Sequence, residues 1–334
     1  MPKVSVIVPV YNVEKYFDRC VRSLFEQTLD DIEYIFVNDC TPDNSMVILQ
    51  KIIEEYPNRK DAIHIINHEK NTGQSGARRD GMAIATGDYI IHCDADDWVE
   101  LDMYENMYNK AVETNSDAVV CDMVMRYKDH SAYLRYINEF DDHRLMYDCL
   151  APISVEYCSM CNRLISHKVF KKHVIEPFEG VNMWDDVGLT TRLRYYIDKT
   201  FVINKPYYNY NKQNELSTTN RDIISRVNEQ VLCVKLLEDF FISESAANQY
   251  QKFIAYLKFF SKSDLLDFDK DKYWFTIFPE NGKYLWKLKN TYLRFKIRLF
   301  LYCYCGMFGV YIYKGLRFLK RRVWLKIFYG SQKS

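Results

Sequence analysis

Carboxylates gather at a few points of this sequence in spacings that suit metal and charge chemistry. Asp94-Ala95-Asp96-Asp97 follows the apolar run Tyr89–Cys93, and two acids two residues apart on extended chain can turn their side chains the same way. Such a pair repels itself unless a cation joins it. Mg²⁺ or Mn²⁺, which take hard oxygen ligands and share them with substrate phosphates, would relieve that repulsion. The plain alternative is an acidic loop capping the helix at Leu101; the place directly after a buried strand favours the metal. A second pair, Asp185-Asp186, opens a helical pattern. There the positive end of the macrodipole favours an ionised carboxylate, whether it acts in chemistry or only as an N-cap.

The elements that must position these acids alternate. Val4–Val10 and Ile32–Val37 are apolar, β-branched runs that read as buried strands, followed by Ile63–Ile66 and Tyr89–Cys93. Between them helices are expected at Glu14–Gln27, Pro42–Tyr56 and Ser75–Ala85, then a helix from Leu101 to Asn115 and a strand at Ala118–Met125. This rhythm predicts an α/β fold, a Rossmann-like, mostly parallel sheet with helices on both faces. Farther on the expectation is a helix over Asp185–Tyr196, a short strand at Phe201–Ile203, and helix from Arg221 to about Asp267. Ligands of such sheets bind beyond the carboxyl ends of the strands. Here those ends carry Pro9-Val10-Tyr11-Asn12, Asn38-Asp39-Cys40-Thr41, Asn71 to Arg79, and Asp94 to Asp97.

VSVIVPVYN, VNDCTPDNS, NTGQSGARRDG, GDYIIHCDADDW and MWDDVGL, in that order over residues 3–215, resemble the inverting family 2 glycosyltransferases of the GT-A fold. The resemblance implies that Pro9, Tyr11 and Glu14 line the pocket for the base of a nucleotide-sugar, that Asp39 bonds a uracil ring, and that Arg78 lies near the nucleotide. It implies that Asp94, Ala95 and Asp96 contact ribose and a Mn²⁺ or Mg²⁺ on the diphosphate, with Asp96 the direct ligand and Asp94 a ribose or metal contact. Asp186 is then the catalytic base, taking the proton of an acceptor hydroxyl, while the metal steadies the leaving diphosphate. Four departures stand out: Cys40 for a usual Gly, Arg79 for Asn, Asp185 for Glu, and Asn211 for Arg. Asp185 is one methylene short, so its partner must sit closer.

Composition bounds the rest. A 334-residue chain with 48% hydrophobic residues has ample core and suggests two domains or one with an extension. The ten cysteines are scattered rather than framed for disulfides, and no leader-like segment is seen, which points to the cytosol. His64, His68 and His92 are expected to pack or cap, and Trp98 and Trp184 to pack or to stack on a sugar. The formal charge is zero, yet 13 of the 45 basic residues and no acid lie in 281–334, leaving the first 280 residues at −13. A basic, aromatic end of this kind suits the interface of an anionic membrane better than packing on the domain; no nucleic-acid motif accompanies it.

The expected organisation is a transferase domain at 1–215, a helical extension at 216–280, and a membrane-associating tail at 281–334. The expected activity is transfer of one sugar from a nucleotide-sugar, a UDP-sugar by the resemblance, to a lipid-linked or polysaccharide acceptor at the inner face of the cell membrane. The rivals are a sugar nucleotidyltransferase and a non-catalytic nucleotide-sugar or membrane-binding module. P-loop and Rossmann dehydrogenase fingerprints are missing.

Overall fold

The computed structural model describes residues 2–136, 155–214, 222–266, 271–282, 297 and 299–313. All 13 cations of the expected tail fall outside them. Among the described residues nine strands form one sheet, in the order β3-β2-β1-β4-β8-β6-β9-β5, with β7 paired to β6. The first half follows the sequence rhythm: β1 (Val4–Val10), α1 (Glu14–Phe25), β2 (Ile32–Asn38), α2 (Ser45–Glu55), β3 (Ile63–Asn67), α3 (Gly73–Ile84) and β4 (Tyr89–His92). These four strands pair in parallel. Alternation within β1 explains the layers. Val4, Val6, Val8 and Val10 enter one core with Phe17, Leu24 and Phe36, while Ile7 enters the opposite core with Ile35, Ala77 and Leu189. Both faces are apolar, so both need a helical cover.

Beyond β4 the sheet becomes mixed. β5 (Trp98–Val99), α4 (Met103–Thr114), β6 (Ala118–Arg126), β7 (Ser131–Leu134), α5 (Val155–Cys158), β8 (Arg163–Ser166), α6 (His167–His173) and α7 (Asp185–Tyr196) lead to β9 (Thr200–Asn211). β8 runs antiparallel to both β4 and β6, β5 antiparallel to β9, and only β6–β9 is parallel. The four-residue β8 is too short to show a period in sequence.

Three local boundaries also differ. α2 starts at Ser45, not Pro42, because the Asp43 carboxylate accepts from the Ser45 backbone and hydroxyl at 3.1 and 2.7 Å and stops the helix there. The helical stretch after Arg221 is two helices, α8 (Ile223–Ser243) and α9 (Ala247–Phe260), parted at Ser245 with φ +58. α10 (Asp271–Thr276) follows. β9, expected as three residues, has twelve. A separate apolar core joins α8, α9 and α10 to residues 299–313 through Val234, Leu237, Phe259, Trp274 and Tyr302. No described helix is long and apolar enough to cross a membrane.

Candidate active site

The carboxyl ends of β1, β2 and β4 and the start of α7 face one cleft of about 480 Å³. Pro9, Tyr11, Asp39, Arg78, Asp94, Ala95, Asp96 and Asp186 all line it. Of the residues singled out in the sequence, Glu14 is not brought there. Its carboxylate accepts from the Asn44 backbone and side chain at 3.0 and 3.1 Å, and its own N–H donates to Asp43 at 2.8 Å. Glu14 therefore ties the start of α1 to that of α2 and is not among the residues lining the cleft.

Asp39 is buried and orders the turn into α3. One oxygen accepts from His68 Nδ1 at 2.9 Å and from the Thr72 N–H and hydroxyl at 2.7 and 2.9 Å; the other accepts from the Gly73 N–H at 2.8 Å. Next to it Cys40 takes φ +57, a left-handed conformation easier for glycine, so the unusual Cys holds the backbone a Gly would adopt. Gly73 is required where it stands: φ is +81 and a Cβ would lie 2.2 Å from the Asn182 amide oxygen.

Arg78 is the centre of the charge arrangement. Its buried guanidinium donates to Asp94 at 2.8 Å and to Asp185. Burial works against its charge, but Asp185 and Asp94 outweigh that and raise its pKa further. The short Asp185 side chain is thus partnered by Arg78. Arg79, the second departure, bonds Asp80 at 3.1 Å and is not among the cleft-lining residues.

Asp94 also accepts from Gln74 at 3.1 Å, whereas Asp96 accepts from Asn214 at 2.8 Å. Burial, then the charge of Asp94, pushes Asp96 up to about 6. Behind them Asp97 is fully enclosed and accepts from the Tyr208 hydroxyl at 2.6 Å and the Asn211 N–H at 2.7 Å. Tyr208 in turn accepts from the Asp94 N–H at 3.1 Å, and the Asn211 amide donates to the Asp96 carbonyl at 3.1 Å. β9 therefore holds the acidic loop in shape. Among the described residues no group of three or more His, Cys, Asp or Glu is placed to enclose a metal. Two neighbouring carboxylates suit an ion that completes its shell with water and phosphate, as Mg²⁺ and Mn²⁺ do.

Asp186 lines the wall formed by the start of α7. Neither acid of the pair is the N-cap: that position is Trp184, and the Asp186 carboxylate accepts from the neighbouring Val187 N–H at 2.8 Å. Burial first, then the adjacent Asp185, pushes Asp186 up to about 7. Trp184 holds φ +73, a strain of about 1–2 kcal/mol for a bulky residue, fixed by the Gly188 N–H on its carbonyl at 2.9 Å. The preceding loop is latched twice. Glu229 of α8 accepts from the Asn182 and Met183 N–H groups at 2.9 and 2.6 Å, and the Asn182 oxygen accepts from the Ser75 N–H and hydroxyl at 3.2 and 3.1 Å.

Sequence reasoning left out Tyr208, Asn214, Asn182 and Glu229, which have no motif of their own; only folding brings them to the acids. Trp184 lines the cleft with Met123, Met183 and Tyr210, while Trp98 stacks under the Arg19 guanidinium at 3.1 Å. Of the histidines, His92 is fully buried, and burial keeps its pKa well down; His68 bonds Asp39, while His64 is exposed beside Glu33.

Comparison with known proteins bears on the family and the fold. The chain is similar to uncharacterized glycosyltransferase EpsJ of Bacillus subtilis (strain 168), 41% identical over 134 residues, 40% of this chain and 38% of that one. The chain thus spans well under half the length of that relative. Its fold matches S. aureus TarS 1–349 in complex with UDP-GlcNAc at a TM-score of 0.73 and 17% identity, over 94% of this chain and 91% of that one. It also matches a mannosyltransferase from Pyrobaculum calidifontis in complex with GDP-Man and Mn²⁺ at 0.52 and 16% identity, over 80% and 74%. At those identities the likeness shows the fold, which is GT-A-like. The family model for glycosyl transferase family 2 matches residues 5–174, half of the chain, and the chain belongs to that family.

Proposed function

We propose that this protein is an inverting glycosyltransferase that moves one sugar from a nucleotide-sugar, a UDP-sugar in the first instance, to a hydroxyl of a lipid-linked or polysaccharide acceptor. The observation that carries the reading is the meeting of Asp94, Asp96 and Asp186 on the walls of one cleft at the strand ends. TarS, whose fold this chain shares, binds UDP and UDP-GlcNAc.

Pro9, Tyr11 and Asp39 form the nucleotide end of the cleft. Asp39 Oδ2 accepts from the Gly73 N–H, and a carboxylate oxygen can accept a second bond, here from a base N–H. Asp96 is the ligand of a divalent cation, with Asp94 beside it. When bound, that cation supplies positive charge to the leaving diphosphate. Arg78, which donates from one amino group to Asp94 and from the other to Asp185, sets the spacing of donor and base walls beside the nucleotide. Asp186 takes the proton as the acceptor oxygen bonds the anomeric carbon from the face opposite the breaking bond to the diphosphate; a pKa near 7 suits a base working near neutral pH. Single displacement turns an α-linked donor into a β-linked product. The basic tail at 281–334 places the enzyme peripherally on the inner face of the membrane that carries its acceptor.

The test is transfer from a panel of UDP-sugars to lipid-linked and polysaccharide acceptors, with the anomeric configuration of the product read by NMR. Inverted product supports the reading; retained configuration contradicts it, and so does the absence of transfer from every nucleotide-sugar.

A further inference from the structure

Residues 299–313 contain no charged side chain and are helical, yet they are not one straight rod. Gly306 takes φ +55, and a Cβ on Gly309 would lie 1.9 Å from the carbonyl oxygen of Leu301. The rings of Tyr302 and Tyr313 have centroids 6.3 Å apart, although eleven residues of straight helix would part them by about 16 Å. The chain therefore doubles back at Gly306. The inner side of this element, Leu299, Tyr302 and Val310, is buried against the helical core around Trp274 and Phe259. The outer side stays in water: Phe308 is 71% exposed, Tyr311 67% and Tyr304 53%, with Phe300, Met307 and Ile312 also uncovered.

Single exposed apolar side chains are ordinary, but six on one fifteen-residue element are a patch that asks for an occupant. We propose that this doubled-back element is a bilayer-docking wedge, with Phe308 and Tyr311 entering the interface of an anionic membrane. Charge selects that occupant. The wedge lies within a 54-residue segment that carries 13 cations and no acid, with Arg298 and Lys314 immediately beside it in sequence. Anionic lipid attracts such a segment while the aromatic face supplies apolar burial. A symmetric contact between two copies through the same face sets two such segments side by side, where like charge repels. The wedge gives a place and residues to the membrane surface in the proposed function, and rests on that part of it.

The experiment is flotation of the full chain with vesicles of phosphatidylcholine, alone or with about one-third phosphatidylglycerol, comparing wild type with the exposed double variant Phe308→Ser/Tyr311→Ser. Wild type is expected to float with the anionic vesicles, and the double variant to lose roughly tenfold or more in partitioning while UDP affinity by calorimetry is unchanged. Equal flotation of variant and wild type overturns the wedge, and so does a wild type that floats with neither vesicle. A variant that changes the oligomeric state by light scattering and leaves flotation intact assigns the face to a second copy, which also overturns it. Flotation that depends on the wedge in a protein that binds no nucleotide supports the wedge and contradicts only the transferase reading.

Discussion

Replacing Asp186 by Asn removes one charge and leaves the side-chain oxygen that accepts the Val187 N–H. The wild-type carboxyl is pushed from 3.8 to about 7 by burial and by Asp185. A shift of about three units at 1.36 kcal/mol each amounts to about 4 kcal/mol, and partial access to solvent trims this to about 2–4 kcal/mol. The sign follows from the folded pKa being raised. The folded protein binds this proton more tightly than the unfolded chain, so ionising Asp186 costs no stability below about pH 4 and its full amount above about pH 7. Asp186→Asn is therefore expected to be more stable than wild type by about 2–4 kcal/mol in urea at pH 8 and equal to it near pH 4, with chelator present. Its turnover is expected to fall by about 10²–10⁴ with donor KM little changed, since a lost base removes a step and not a binding contact. Stability gained where activity is lost marks a charge kept for chemistry. A variant less stable than wild type at pH 8, or one with unchanged turnover, refutes the reasoning.

Three further outcomes follow from the same geometry. The acid limb of kcat/KM is expected to rise as Asp186 loses its proton, with a midpoint at or below about 7 because a bound cation favours the ionised form; a profile flat from pH 5 to 8 contradicts the base. Arg78→Met leaves Asp94 and Asp185 facing each other without their shared cation, which should cost about 3–5 kcal/mol in urea denaturation. Combining it with Asp185→Asn should recover part of that loss, and a fully additive pair would show that the bridge is not coupled. Glu229→Ala deprives the Asn182 and Met183 N–H groups of their acceptor, at about 1.5–3 kcal/mol for a charged partner. Turnover should fall more than UDP affinity, because the loop leads to Asp186 and not to Asp39.

The parts of the fold that could be read in the sequence are those whose burial is repeated along the chain. β1, β2 and β4 are apolar on both faces and announce themselves as continuous runs. The start of α7 at Asp185 is legible because two acids meet a helical pattern, although the cap turned out to be Trp184. β9 was reduced to Phe201–Ile203 because Asn204, Lys205 and Pro206 interrupt it. In the folded chain Pro206 pairs opposite Asp122 at a register shift, an irregular place in a sheet that tolerates a proline. With β9 went Tyr208, which with Asn211, visible in the sequence only as a departure from Arg, holds the acidic loop. Spacing also says nothing of partners far apart: Arg78 and Asp185 are 107 residues from each other. The Asp185 departure from Glu, visible as a shortened reach, was the one hint of a close cation. Glu14 shows the converse, a residue placed by motif in the base pocket and found tying two helices together.

The central claim, a donor nucleotide held through Asp96 and a divalent cation, is tested most directly by calorimetric titration of UDP into the protein with Mn²⁺, with Mg²⁺ and with chelator, alongside Asp96→Ala. Binding that needs the metal and is lost in the variant is the predicted result. UDP, GDP and dTDP all failing to bind with either metal, or UDP binding equally well to wild type and Asp96→Ala, would contradict it.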